Sequence, residues 1–558
     1  MLRALVVVLC LAAFPAGLAA QDAPVAPAPI LQELRLEGAT VYKQDDVLFL
    51  LGLRQGAPLP TDAAAVAKAL QERYERDGYS EARVTGAFEN GRLTLTVDEG
   101  RIDDIEILGV PTDHLARYRR MLGIEPGDIY NTRVVGRSTA RLTSRSGGAV
   151  SIDRPRRDQP GGDRAETMPE KVTLDRRGAR NVLVVPVRWR YVDNDVSLGS
   201  SREDLFSPAD GLSPAIVYTA TIFDHGRFNH TLLEGFVSYK FGSDEPGYSI
   251  GVERPFFGGP RLFLGAETHD ITTSDDLWRL SNLEQTIVSL AFKNSFRDYY
   301  RRRGHQLFGV LRAGDHNEFN VMTRWDHHEA LPNATTYSFW RDDAELRPAL
   351  PVQNQRVNTF VFGYAFDTRP FTAAGNRATY TRHLKDSLYG FGTRQAPGLR
   401  LEWTSEIAGH ALGGDARFDR HIANARGHVP ISSHTLLSLR GLFGFSGGTL
   451  PVERVFSLGG IGSVHGYSFK EVSGTRMTLL NAEYRINLTP DAGERRHDGP
   501  NVFVFYDAGR VFGTATSTRW LNGTGIGAGA GGVRVEFGFR ADDIPNSRQI
   551  LVRFSPTF

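Results

Sequence analysis

From Ser213 to Phe558 the chain alternates with a period of two, and the polar side of the alternation carries full charges. In Thr435–Phe445, Leu437, Leu439, Phe443 and Phe445 share one face, with Ser438 and Arg440 opposite. In Thr478–Asn487, Leu480, Ala482, Tyr484 and Ile486 oppose Asn481, Glu483, Arg485 and Asn487. Val533, Val535, Phe537 and Phe539 oppose Arg534, Glu536 and Arg540, and Phe360, Phe362, Tyr364 and Phe366 form a further aromatic face. Successive side chains of a strand point to opposite faces, so each stretch reads as a strand, and no helical period competes. A charged face suits a wet lumen and a long aromatic face suits lipid, which is the pattern of a transmembrane antiparallel β-barrel. A soluble sandwich pair or propeller also alternates and is the competing architecture. At roughly 10 residues per tilted strand plus turns, residues 213–558 suffice for about 16 strands.

The last ten residues continue the pattern. Ile550, Val552, Phe554 and Phe558 fall on one face; Arg553, Ser555 and Thr557 fall on the other. A terminal aromatic strand of this kind is common in outer-membrane barrels and has no comparable role in a soluble protein.

The N-terminus agrees with export. Met1-Leu2-Arg3 precedes an apolar run, Ala4–Phe14, and small residues to Ala20. This reads as a secretory signal peptide over 1–20, cut near Leu18-Ala19-Ala20. The run is too short to span a bilayer as a helix, and no later stretch approaches the necessary length. Cys10, the sole cysteine, lies in the signal, and Leu9 before it does not suit a lipid-anchor site. The exported chain is therefore expected to have no disulfide, thiolate metal site or cysteine nucleophile. A net charge of +1 argues against a nucleic-acid partner.

Between a Pro/Ala linker at 21–29 and the barrel lies an internal repeat, offset by 71 residues (31 to 102). Leu31, Leu34, Leu36 and Gly38 recur as Ile102, Ile105, Ile107 and Gly109; Leu51-Gly52-Leu53, Gly56 and Thr61 recur as Leu122-Gly123-Ile124, Gly127 and Thr132. Each copy reads β-α-α-β-β. In the first, 30–99, a strand ends at Gly38, a short helix covers Gln44–Leu51, and Thr61 caps a second helix over Asp62–Arg76. Asn90-Gly91 then turns the final hairpin. The second copy, 100–192, resumes at Asn181–Tyr191 after a polar stretch at 145–179 that reads as a mobile insertion. Residues 193–212 read as a linker, and the first barrel strand is expected near Ala215–Phe223.

Three motifs look chemical and are not. Gly444-Phe445-Ser446-Gly447-Gly448 matches a nucleophile elbow, but no helix follows, so it reads as a hairpin turn. Gly525–Gly532 resembles a phosphate loop but leads into a strand. His327-His328 lacks metal-ligand spacing. No catalytic residue, metal site or cofactor is expected.

One stretch remains. Phe456-Ser-Leu-Gly-Gly-Ile-Gly-Ser-Val-His-Gly-Tyr467 holds four glycines between strand-like segments and cannot form a stable helix. Val464-His465-Gly466-Tyr467 resembles the Val-Arg-Gly-Phe/Tyr loop motif of the BamA/TamA superfamily of outer-membrane assembly factors, which includes the two-partner-secretion transporters. Glu483 and Arg485 resemble the Glu-x-Arg of the following strand, and Phe505-Tyr506-Asp507-Ala508-Gly509 the next Phe-x-Asp-x-Gly. Phe366-Asp367-Thr368-Arg369 with Gly375 resembles a further barrel signature. The repeats correspond to the family's periplasmic POTRA domains.

The resemblance implies that the loop tucks into the lumen and that its cation meets inward carboxylates, here Glu483 and Asp507. His465 stands where the family has arginine. Either histidine makes the contact or a neighbour, Lys470 or Arg476, supplies the charge. The resemblance further implies a location in a Gram-negative outer membrane with the repeats in the periplasm. Unfolded client chains and the lipid bilayer are the implied partners, with a periplasm-spanning inner-membrane protein as a further one. The implied function is insertion of outer-membrane proteins through a weak seam between first and last strands. The alternative is export of one dedicated protein through the pore. Two repeats fit an exporter. However, exporters typically carry a plug helix before the repeats, and here the signal and first repeat are separated only by the short linker.

Overall fold

In the computed structural model the described residues are 29–146, 148–153, 169–199, 203–226, 229–256, 261–341, 345–368, 397–489, 499–513 and 519–554. The signal peptide, Arg369, Gly375 and Phe558 lie outside them. The chain divides into two compact units, Met1–Arg141 with Ile152–Val187, and Leu142–Ser151 with Arg188–Phe558.

The first unit carries the repeats, except Leu142–Ser151 and the last two residues of the final strand, Arg188 and Trp189, which fall in the second. Copy one is β1 (Glu33–Glu37), α1 (Gln44–Leu50), α2 (Ala63–Arg76), β2 (Arg83–Glu89) and β3 (Arg92–Asp98). β1 runs parallel to β3, and β3 forms a hairpin with β2, giving the order β1-β3-β2. The hairpin turns on Asn90 and Gly91, both at positive φ (48° and 79°), as a tight two-residue turn requires. Leu34, Leu93 and Leu95 meet Leu70 and Tyr74 of α2 in a closed core. The cap of α2 is Asp62, not Thr61: its carboxylate accepts the Ala65 N–H at 2.6 Å. Aspartate and threonine are both good caps, and sequence alone misplaced this one by a residue.

Copy two is β4 (Asp104–Leu108), α3 (Thr112–Leu122), α4 (Thr132–Arg145), a short β5 (Val150–Ile152), β6 (Thr173–Arg177) and β7 (Arg180–Trp189). It repeats the pattern: β4 is parallel to β7, and β6 is antiparallel to it. The expected mobile insertion over 145–179 therefore needs correction at both ends, because β5 and β6 fall inside it. β6, Thr-Leu-Asp-Arg-Arg, is too short and polar for its alternation to register as a strand.

The second unit is built on a 16-stranded antiparallel sheet. Its strands are β8 (Val192–Gly199), β11 (Ala215–Asp224), β12 (Asn229–Lys240), β13 (Glu245–Phe256), β14 (Leu262–Thr273), β15 (Tyr300–Ala313), β16 (Asn317–Ala330), β17 (Gln355–Asp367), β18 (Gly398–Ala408), β19 (Arg417–Pro430), β20 (Thr435–Thr449), β23 (Arg476–Asn487), β24 (Asn501–Phe512), β25 (Leu521–Ala530), β26 (Val533–Arg540) and β27 (Gln549–Arg553). Two small hairpins, β9–β10 (Phe206–Ser207, Gly211–Leu212) and β21–β22 (Phe456–Leu458, Val472–Gly474), stand off the sheet, and helix α5 (Asn282–Phe292) lies between β14 and β15. Each strand pairs with the next strand of the sheet in sequence, the β9–β10 hairpin intervening between β8 and β11 and the β21–β22 hairpin between β20 and β23. The sheet ends at β8 and β27, with no ladder between these two among the described residues.

The sheet starts earlier than expected. β8 lies in the stretch read as a linker and pairs with β11 from Val192↔Ile222 to Gly199↔Ala215. Its sequence, Val-Asp-Asn-Asp-Val-Ser-Leu-Gly, carries too few large apolar residues to stand out. Ala215–Asp224 is thus the second strand.

The wall is inside-out relative to a soluble protein. On β20, Leu439 is 45% exposed and Arg440 only 2%. On β23 Leu480, Tyr484 and Ile486 are exposed while Asn481, Glu483 and Arg485 are buried, and β26 repeats this with Val533 and Phe537 against Arg534 and Glu536. Charges that would be costly in lipid face inward and pair with each other: Glu483 meets Arg485 and Arg534, each at 2.6 Å, and Arg534 meets Glu536 at 2.7 Å. No helix among the described residues is long and apolar enough to cross a membrane.

Candidate functional site

The glycine loop joins β20 to β23 and folds back against the inner face of the wall. The β21–β22 hairpin forms its stem, and the tip runs from Gly459 to Glu471. The tip turns through four glycines at positive φ, Gly459, Gly460, Gly462 and Gly466. At Gly466 (φ 82°) a Cβ would come within 2.1 Å of the Arg540 backbone nitrogen, so conformation and space both demand glycine. Val464, Leu458 and Phe456 are buried with Leu442, Leu479, Val511 and Leu521 of the wall. The loop is thus a packed part of the interior.

His465 sits at the centre of the contact. Its Nδ1 lies 2.6 Å from Asp507 Oδ2, its Nε2 lies 3.0 Å from Glu536 Oε2, and its backbone N–H donates to Asp507 at 3.2 Å. Only a ring protonated on both nitrogens donates to two carboxylates, so this pair of contacts selects the imidazolium. Asn481 completes the arrangement, donating from Nδ2 to Ser463 O (2.8 Å) and Asp507 Oδ1 (2.7 Å). Gly466 N–H donates to Gln549 Oε1 on the last strand at 3.3 Å, and Tyr467 Oη accepts the Asn522 N–H at 3.2 Å.

The wall is carved to admit this residue. Asp507 is on β24 and Glu536 on β26, with β25 between them. After Leu521 the inward positions of β25 are glycine, and at Gly523 a Cβ would be 2.6 Å from the His465 carbonyl oxygen. The run Gly525–Gly532 is therefore part of a smooth strand and its closing turn. Gly538 of β26 faces the His465 Cβ, where a methyl would approach to 2.7 Å, and Gly509 faces Leu458 and Val464.

Several expectations change here. Glu483 does not meet the loop; it is taken by Arg485 and Arg534. It lies two residues along β23 from Asn481, which stands opposite Asp507, and two residues of strand displace it by about 6–7 Å. Glu536 takes its place. It was visible as part of the charged face of β26, but nothing local in the sequence shows that a two-strand gap is bridged over glycines. Lys470 pairs with Asp276 and Asp298, each at 2.7 Å, and Arg476 is exposed at the start of β23. Neither supplies the cation at Asp507. Asp367 is buried in an ion pair with Arg400 at 3.4 Å, away from the loop motif. Ser446 lies within strand β20, not in a hairpin turn, and donates to Thr475 O at 2.8 Å. His328 meets Glu453 at 2.7 Å, and no metal-binding group of side chains occurs among the described residues. Ile550, Val552 and Phe554 are exposed on the outer face of the last strand.

The loop is also held from its other side, by the segment between β14 and β15, which the sequence reading passed over. Arg279 donates to Ser457 O (2.7 Å), Gly459 O (3.3 Å) and Ile461 O (3.4 Å). Asp275 takes Arg454 at 2.6 Å and Arg420 at 3.3 Å.

Comparison with known proteins gives the following. The model of the Omp85 superfamily domain matches residues 237–539, more than half of the chain, and the model of the POTRA domain, described as a surface antigen variable number repeat, matches 29–100. Among curated proteins none matches significantly in sequence. Solved structures similar to the chain include BamA from Haemophilus ducreyi lacking POTRA domains 1-3 (15% identity, 94% of this chain and 98% of that one, TM-score 0.49). CdiB from Escherichia coli (16%, 96% and 91%, TM-score 0.36) and CdiB from Acinetobacter baumannii (13%, 94% and 89%, TM-score 0.35) are also similar. All three scores are below 0.5, so the family assignment rests on the domain match.

Proposed function

We propose that this chain, which belongs to the Omp85 superfamily, inserts and assembles other β-barrel proteins in the outer membrane of a Gram-negative bacterium. The observation that carries the reading is the pair of sheet ends, β8 and β27, which no ladder joins among the described residues. An unpaired strand edge is a template for another strand. At this seam an incoming hairpin extends the sheet while its apolar face enters lipid. The two repeats, on the periplasmic side, take up the unfolded client first. The first repeat has the order β1-β3-β2, which leaves β2 as an outer edge on which a client strand can add. No nucleotide is required: client folding and burial of apolar surface drive the process.

Export of a single protein through the lumen is the other reading within the family. The packed loop, tied to β23, β24 and β26, favours assembly, since an exporter must clear that space for every passage. Depletion of the protein followed by comparison of outer-membrane and secreted proteomes tests the choice. Loss of many barrel proteins supports assembly; loss of one secreted protein with barrels intact overturns it.

A further inference from the structure

Helix α5 has its polarity reversed. Glu284, Gln285, Thr286 and Ser289 are buried, while Leu283, Ile287 and Phe292 are 59%, 37% and 49% exposed. A helix packed on a soluble core does the opposite. The barrel wall, however, has this same polarity. The helix also ties the end of the last strand to the segment that follows the first. On one side, Glu284 Oε1 accepts from Arg553 Nε (2.9 Å) and from the Phe554 N–H (2.8 Å), both at the end of β27. On the other, Thr286 Oγ1 accepts the Phe206 N–H at 3.4 Å and Asn282 Nδ2 donates to Glu203 O at 3.4 Å, both in the segment that follows β8. Arg297, just beyond the helix, pairs with Asp204 of that segment at 2.5 Å.

We propose that α5 serves as a piece of barrel wall: it stands in the gap between the first and last strands with Leu283, Ile287 and Phe292 against lipid acyl chains, and Glu284 is the tie that keeps it there. The occupant is lipid because the apolar face continues those of the two seam strands, where Leu198 and Val196 of β8 are 81% and 62% exposed and Ile550 and Val552 of β27 are 60% and 52% exposed. At the end of the helix Trp340 packs on Phe292 at 5.6 Å, and Trp340 and Phe339 are themselves 71% and 59% exposed, the kind of aromatic pair that settles at a bilayer interface.

Glu284 is suited to its role. Its Oε2 accepts the Ser281 N–H at 2.7 Å and so starts the helix, while Oε1 holds the last strand. The Phe554 N–H is thereby engaged by a helix carboxylate. Releasing Glu284 frees that strand end for an incoming edge and unseats the helix. Arg279 extends the tie inward: its carbonyl accepts Arg553 Nη2 at 3.0 Å, and its guanidinium holds the glycine loop. Loop, helix and last strand thus move as coupled parts.

The inference rests on the reading of β8 and β27 as a seam, but its test does not involve client assembly. Spin labels are placed at Leu283, Ile287 and, as a lipid-facing control, Val552, with Cys10→Ser, in the full chain in phosphatidylcholine vesicles. Labels at 283 and 287 are expected to be reached by oxygen and protected from a water-soluble nickel complex, as at 552; accessibility to nickel overturns the lipid assignment. A second pair at Leu198 and Ile550 reports the seam by pulsed dipolar spectroscopy. Glu284→Gln retains a side chain able to cap the helix but loses the charge, and is expected to broaden and lengthen this distance, as is Arg553→Gln, with the double variant no different from either single one. An unchanged distance in both single variants overturns the tie even if the helix faces lipid, and heat-modifiable migration of each variant confirms a folded barrel.

Discussion

His465 holds together two carboxylates that would otherwise repel each other in a buried site. Removing one partner of a buried ion pair leaves uncompensated charge, at about 3–5 kcal/mol. His465→Ala should therefore lower the midpoint of the heat-modifiability transition and expose the Gly459–Glu471 tip to protease. His465→Arg, which can fork onto a carboxylate, should retain most of the protection. Gly538→Ala should give the same protease-sensitive loop without touching any charge, since its methyl occupies the His465 position. In the double variant with His465→Ala the two losses should not add. Much of this was legible in the sequence: the loop from its glycines, Asp507 from the resemblance, and the question of the cation from the histidine itself. Glu536 was not, because its nearness to His465 depends on the glycine strand lying between β24 and β26. Pairing across a bare strand leaves no local mark.

At the level of single elements, the first repeat is pinned by one buried carboxylate. Glu99 accepts from Thr40 N–H (2.7 Å), Val41 N–H (2.8 Å), Thr40 Oγ1 (2.6 Å) and Tyr74 Oη (2.9 Å). Burial pushes its pKa up, but these donors outweigh burial and hold it below the usual glutamate value. A depressed folded pKa means stability that is fully present above the unfolded value, near 4.3, and lost as pH falls through the folded one. The protection of the Thr40 and Val41 amides, taken as their exchange relative to the unprotected rate at the same pH and followed in the full chain, should thus be flat from pH 8 to 5 and fall below about 4. Glu99→Gln should cost about 1–3 kcal/mol and abolish that acid dependence. In the wall, Leu439→Arg should destabilise the folded barrel by about 2–4 kcal/mol, visible as a lower heat-modifiability midpoint, because the residue faces lipid. The alternation made these strands readable wherever aromatic residues mark the outer face. It failed at β8, which carries no aromatic residue and only three large apolar ones, Val192, Val196 and Leu198, and at α5, a short helix in which polar residues are the buried ones.

For the molecule as a whole, period-two alternation and a 71-residue offset were enough to anticipate a repeat unit followed by a barrel. They did not reveal what fills the interior, since that is decided by contacts between distant residues. Those distances have a consequence for the order of folding. Arg279 and Ser457 are 178 residues apart, His465 and Glu536 71, and Glu284 and Arg553 269, whereas nearly every wall ladder joins strands that are neighbours in sequence. Contacts of long sequence separation form late, because chain entropy is lost before they repay it. The wall can therefore zip up strand by strand while the clasp at its last strand waits for the end of the chain to arrive. A newborn copy is therefore expected to pass through a stage in which the sheet is nearly complete, its interior unlocked and its final edge loose. On the assembly function proposed above, it then stands, with respect to the membrane, where its own clients would.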